Sequence, residues 1–344
     1  MSEQHLLSEG PLLDGNGNLA DAGYAYSLVR KYDRKAITAS KMRIKEWDYY
    51  YVGNAEYGVA LTVADNGYMS MASISLLDFR DAPYDITVSK IGAFPMGKLN
   101  LPSSSQSGDV RFKGKGFDMA FLIEGKRRHL VCSMSKFGKK KELFSCDIFL
   151  EPTLDASMVI ATPFKKTGHF YYNQKINNQI AHGYAKLGDT TYDFNQDSFG
   201  VLDWGRGVWT YKNTWYWSSV STRYKGHTIG WNLGYGFGDT SKASENMFFF
   251  DDKAYKLNDV TMDIHHRAHG GDDFMKPWTF RSKEGDIAIQ FQPVYDRHAD
   301  TNLLFLRSNQ HQVFGTFSGE IHADGKTFSF EELPGFAEKV FNKW

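Results

Sequence analysis

Apolar side chains recur at every second position along most of this chain, and the runs end at glycine-containing turns, a pattern suited to extended, half-buried strands. Tyr57, Val59, Leu61 and Val63 alternate up to Asp65-Asn66-Gly67, and Tyr68, Ser70, Ala72, Ile74 and Leu76 continue beyond it, which is a hairpin signal. Phe117, Met119, Phe121 and Ile123 run into Glu124-Gly125, and Ile287, Ile289 and Phe291 alternate with Ala288, Gln290 and Gln292. The stretch from Val313 to Ile321 leads into Asp324-Gly325 before Phe328 and Phe330. Aromatic residues make up 15% of the chain and glycines number 32 against 9 prolines, which favours many strands joined by tight turns. No strand–helix–strand alternation interrupts the pattern. The expected class is therefore mainly β, with antiparallel hairpins closing into barrels or sandwiches. Helix is expected only at the C-terminus, where Phe336, Val340, Phe341 and Trp344 follow Pro334-Gly335 at helical spacing and would cap a sheet or barrel.

The 344 residues suffice for two modest domains, read as an N-terminal extension over 1–35, a first β domain over 36–185 and a second over 186–344. No Pro/Ser-rich linker marks the boundary; 163–168 and 195–198 are the candidate stretches, and two domains sharing an interface fit best. Lys+Arg and Asp+Glu both total 40, so the neutral chain gives no reason to expect nucleic acid or an anionic membrane as partner. Residues 1–10 carry no basic-then-apolar leader, and no apolar run would span a bilayer, so a cytoplasmic protein without stable membrane insertion is expected. Cys132 and Cys146 are the only cysteines and are expected to be reduced. Nothing in the sequence fixes an oligomeric state.

Five of the eight tryptophans crowd one region: Trp204 and Trp209 flank Gly205-Arg206-Gly207, and Trp215, Trp217 and Trp231 follow. Tryptophan combines a large apolar body with an N–H that needs a partner, so this density beside Asp203 and Arg206 points to a pocket apolar in its walls and polar at one end. From Thr228 to Asp239, Ile229, Trp231, Leu233, Tyr235, Phe237 and Asp239 alternate with a face bearing Gly230, Asn232, Gly234, Gly236 and Gly238, so either the strand coils strongly at a barrel corner or something approaches that bare backbone closely. Asp203 is a candidate proton donor, because a carboxyl buried among tryptophans favours its neutral form, whereas pairing with Arg206 would oppose that. Asp263, His265 and His269 alternate near His266, Asp272 and Asp273, but their charge and Gly270-Gly271 indicate an exposed loop, and no metal is assigned. Neither a nucleophile elbow nor a phosphate-binding loop is present, and no cofactor is expected.

Several segments carry a family resemblance: Lys45-Glu46-Trp47-Asp48-Tyr49-Tyr50, Phe170-Tyr171-Tyr172-Asn173-Gln174-Lys175, Leu202-Asp203-Trp204-Gly205-Arg206-Gly207-Val208-Trp209, Gly230-Trp231-Asn232-Leu233-Gly234-Tyr235-Gly236 and Gly335-Phe336-Ala337-Glu338-Lys339-Val340. Over essentially the whole chain these resemble a bacterial family, domain of unknown function 2804, and Asn54, Glu245, Asn246, Asp296 and Arg297 lie at positions that look like its recurrent polar ones. More distantly, Gly188-Asp189-Thr190-Thr191-Tyr192 followed by Asp203-Trp204-Gly205 and Trp215-Tyr216-Trp217 resembles the lipocalin-like superfamily that includes carotenoid hydratases. That likeness implies two lipocalin-like (calycin-like) antiparallel barrels, or strongly bent sheets, packed around an apolar tunnel, with Asp203 at the position of an acid that protonates an alkene. The short run after that acid differs here, being Trp204-Gly205-Arg206-Gly207.

The resulting expectation is a protein that takes a largely apolar small molecule, of isoprenoid, fatty acyl or polyketide-like character, for acid-assisted hydration, isomerisation or cyclisation. Asp203 and Arg206 would be catalytic. Trp204, Trp209, Trp215, Trp217, Trp231, Asn232, Tyr235, Asp239, Asn246, Asn173, Lys175 and Asp296 would bind substrate. A lipid carrier without chemistry is one alternative; a carbohydrate-active enzyme with Asp203 and Asp296 flanking a glycosidic bond is another.

Overall fold

The computed structural model describes residues 4–195, 197–303 and 306–343. Two curled antiparallel half-barrel sheets make up most of the molecule, the arrangement of a two-domain lipocalin-like fold, beside a short parallel pairing of Gly10–Pro11 with Arg30–Lys31; helix among the described residues is limited to the single 3₁₀ turns Arg34–Ala36 and Lys41–Arg43. No helix of the described residues is long and apolar enough to cross a membrane.

The first sheet is built from hairpins that the alternation anticipates, including Tyr57–Asp65 with Met69–Asp78 and Phe117–Glu124 with Arg127–Phe137. Its centre is less local: Phe199–Val208 lies between Ile44–Gly53 and Phe170–Leu187, partners drawn from far apart in the chain. The chain then passes through three residues into Lys212–Tyr224, the start of the second sheet. That sheet runs through His227–Tyr235 and Met247–Phe250 on one side, and through Lys326–Lys343, Leu306–Ala323 and Ile287–Leu303 on the other.

Each half-barrel encloses its own apolar core. Leu61, Ile74, Phe121, Ile148, Tyr172 and Trp204 belong to the first; Ile229, Trp231, Leu233, Phe280, Phe291 and Phe317 belong to the second. Two further clusters join the sheets. One gathers Tyr171, Trp209, Phe237 and Phe249, and the other Val201, Trp217, Phe314 and Phe336. Cys132 and Cys146 are cross-strand neighbours, both buried free thiols, with their sulfurs 3.0 Å apart.

The expected C-terminal helix is not formed. Lys326–Lys343 is instead an 18-residue strand paired along both edges, with Lys212–Tyr224 and with Leu306–Ala323. Phe336 and Val340 stand four apart, a spacing that satisfies a helical face and a strand face alike, and the burial of Phe336, Glu338, Val340 and Asn342 follows period two. A central position between two strands decides the ambiguity, because a helix there would leave both ladders unpaired. Trp344, expected in that helix, and Gln196, within the 195–198 stretch, lie outside the described residues.

Candidate functional site

On a strand, residues of equal parity share a face, and this fixes what meets between the sheets. Tyr49, Asp203 and Lys175 are successive cross-strand neighbours on the first sheet. Opposite them, Arg297, Gln312, Glu338, Trp217 and Gly234 form a corresponding row on the second. Lys175 Nζ lies 2.6 Å from Asp203 Oδ2 and 3.8 Å from the centre of the Trp217 ring. Asn173 Nδ2 donates to Asp203 Oδ1 at 2.6 Å, so both carboxylate oxygens are engaged. Across the gap, Glu338 accepts from Trp215 Nε1 at 2.9 Å and from Gln312 Nε2 at 3.2 Å, and Gln312 Nε2 also donates to Tyr49 Oη at 3.2 Å.

Aromatic layers lie on both sides of this polar row. In one, Trp47, Trp209, Trp215, Tyr171 and Phe237 pack with ring centroids 4.6–6.1 Å apart. In the other, Tyr51, Phe314 and Phe336 surround Val201, and Phe336 meets Trp217 edge-on at 4.9 Å. Beside the second layer runs an inter-sheet passage of about 100 Å³, lined by Tyr51, Phe79, Phe199, Val201, Phe314 and Phe336 together with Ser219 and Ser221.

Desolvation governs the acids in such a setting. Burial pushes Glu338 up to about 7, reinforced by the charge of Asp203 and opposed by the Trp215 hydrogen bond, Lys175 and Arg297. Glu245 is likewise raised to about 7 by burial, with Lys175 opposing and Asp203 adding to the rise. It packs over Gly234, where a Cβ would come within 2.7 Å of Glu245 Oε1, so the bare glycine face makes room for a carboxyl. Tyr171 is raised well above its ordinary value by burial and by the three acids Glu245, Asp203 and Glu338. The arrangement therefore holds one ion pair and two carboxyl groups able to carry a proton near neutral pH.

The residues singled out in the sequence divide among three places. Asp203, Lys175, Asn173, Trp209, Trp215, Trp217 and Asn232 face the inter-sheet layer, where Asn232 accepts from Trp217 Nε1 at 2.7 Å and donates to the Glu245 carbonyl at 2.6 Å. Trp204 and Arg206 belong instead to the interior of the first half-barrel. Arg206 lies three positions from Asp203 and so has opposite parity; it pairs with Asp48 at 2.9 Å and donates to the carbonyls of Trp47, Gly205 and Pro102. Trp231 and Tyr235 face the second interior, Trp231 packing on Phe317 and Phe330 and Tyr235 stacking on Tyr216.

Asn246 braces the sheet by accepting from Gly234 N and donating to the Asn258 carbonyl. Asp239 is an exposed turn residue whose carboxylate caps Ser241 N. Asp296 lies at the mouth of the second half-barrel with His311, so Asp203 and Asp296 do not flank one cleft. Among the described residues no group of three or more His, Cys, Asp or Glu side chains is arranged to hold a metal.

Sequence reasoning reaches Glu338 only as part of the family-like segment Gly335-Phe336-Ala337-Glu338-Lys339-Val340 and places neither it nor Gln312 in the site. The legible signal for Glu338 is a lone acid in phase with Phe336 and Val340.

Similar folds occur among solved structures. A protein assigned as an AttH from Nitrosomonas europaea superposes with a TM-score of 0.55 at 12% identity, over 96% of this chain and 98% of its own. A kievitone hydratase from Nectria haematococca gives 0.50 at 10% identity, over 97% and 98%. No curated protein matches the sequence significantly. The family description that fits is domain of unknown function 2804, matched by residues 3–344, and the chain belongs to that DUF2804 family.

Proposed function

We propose that the inter-sheet layer binds a largely apolar, unsaturated small molecule and protonates it, with Glu338 as the acid. One observation carries this reading: Glu338 is a buried carboxyl raised to about 7, held between the Trp215 N–H and Gln312, beside a Lys175–Asp203 ion pair and aromatic layers. The proton passes from the Glu338 carboxyl to an alkene carbon, leaving a carboxylate and a cationic centre that the Trp215 ring and the new negative charge on Glu338 stabilise. Addition of water, with its proton returned to Glu338, completes a hydration; transfer of a proton from the neighbouring carbon to the Glu338 carboxylate completes an isomerisation. Asp203, engaged by Lys175 and Asn173, acts through its charge, which favours the neutral form of Glu338. The likeness to a kievitone hydratase fold fits acid-assisted hydration.

The test begins with organic extraction of the purified protein and mass spectrometry, using Trp217→Ala as the pocket control. Extracted compounds and a panel of isoprenoid and unsaturated fatty acyl compounds are then incubated with the protein in D₂O. Carbon-bound deuterium is expected in one product, falling off above pH 7 as Glu338 ionises, abolished in Glu338→Gln and shifted to lower pH in Asp203→Asn. Incorporation that persists unchanged in Glu338→Gln removes that residue from the chemistry. Return of the bound compound unaltered, with no label in the panel, favours a carrier over an enzyme.

A further inference from the structure

A second cavity, of about 570 Å³, opens at the mouth of the second half-barrel, away from the inter-sheet layer. Its volume falls in the range of small-molecule sites, about 300–1,000 Å³, and seven of its ten lining residues are polar or charged. His311 Nδ1 lies 2.8 Å from Asp296 Oδ2, so Asp296 holds the orientation of the His311 ring. The other Asp296 oxygen, Oδ1, is buried without a protein donor. Asn309 Nδ2 donates to His298 Nε2 at 3.2 Å, which leaves the proton of His298 on Nδ1. Three rings form a continuous stack: Phe274 covers one face of His311 at 3.7 Å, and His298 covers the other at 4.0 Å. Lys339, paired with Asp272 at 2.5 Å, and Arg267 complete the polar wall.

We infer that this cavity binds a neutral polyhydroxylated ligand of mono- or disaccharide size. Two carboxylates on the wall oppose an anion, and Lys339 and Arg267 oppose a cation, so charge complementarity selects neither sign. Hydroxyl groups both donate and accept, which matches a wall presenting acceptors at Asp296 and the Asn309 amide oxygen beside donors at His298, Lys339 and Arg267. The apolar face of a sugar ring finds its platform on the outer face of His298 and on Phe341, which also lines the cavity. This site is independent of the chemistry proposed for Glu338.

Saturation-transfer NMR on the full chain with glucose, galactose, mannose, maltose and cellobiose tests the assignment. Saturable binding of at least one sugar is expected, weakened by about tenfold or more in both Asp296→Asn and His298→Ala and unchanged in Glu338→Gln. His298 is exposed, so its truncation keeps the test intact even where Asp296→Asn fails to fold. Absence of saturable binding for every sugar, or binding equal in all three variants, overturns the assignment.

Discussion

At the scale of single residues, Glu338 shows how position rather than identity sets chemistry. An exposed glutamate would titrate near 4.5; between Trp215 and Trp217, and out of water, the same group keeps its proton to about 7. Below about pH 4.5 the carboxyl is protonated whether the chain is folded or not, and above about 7 it is ionised in both states. Between these limits the folded state holds more protons, so stability falls as pH rises through that window. Glu245 behaves in the same way. Each contributes a loss of about 3 kcal/mol at most. Urea denaturation from pH 5 to pH 8 should therefore show a declining midpoint in the wild type and a shallower decline in Glu338→Gln, which should be the more stable protein at pH 8. An unchanged slope in the variant would show that Glu338 titrates as an ordinary surface glutamate.

Among elements, hairpins were legible because they are local: the Asp65-Asn66-Gly67 and Glu124-Gly125 turns and the alternation on either side specify neighbours a few residues away. The setting of Phe199–Val208 between Ile44–Gly53 and Phe170–Leu187 leaves no such local mark, since register between distant strands is chosen by packing. The tryptophan concentration suggests a single pocket, whereas parity sends Trp204 and Trp231 into two separate interiors and brings Trp209, Trp215 and Trp217 to the sheet interface. Arg206 parted from Asp203 for the same reason. The glycine face of His227–Tyr235 allows either strong coiling or a close approach, and at Gly230 the structure has a close approach. A Cβ on Gly230 would stand 2.1 Å from Asn178 Oδ1 and 2.5 Å from the Val220 carbonyl. Gly230→Ala should accordingly cost about 1–3 kcal/mol, seen as a lower thermal midpoint, because Asn178 and the backbone must give way. Gly15→Ala, with nothing within 4 Å of the new methyl, is the matched control and should leave the midpoint nearly unchanged.

Over the whole molecule, the chain finishes one sheet before starting the other, and only residues 209–211 connect Phe199–Val208 to Lys212–Tyr224. Among the described residues every strand ladder is thus completed within one half, while the halves adhere through the two aromatic clusters, the Asn177 amide donating to Ser219 and to the Val220 and Trp231 carbonyls, the Gln4 contacts with Ser244 and Leu257, and two backbone hydrogen bonds, from Asp239 N to the Pro163 carbonyl and from His5 N to the Lys242 carbonyl. A break placed after Thr210 severs no strand. Two co-expressed fragments cut there should assemble into a one-to-one complex with the near-ultraviolet circular dichroism of the intact chain, and separate elution on a sizing column would show that covalent continuity is needed. The three-residue connection thereby suits the protein to a bipartite reporter, in which recovery of the chemistry proposed for Glu338 would register the reunion of two separately made polypeptides.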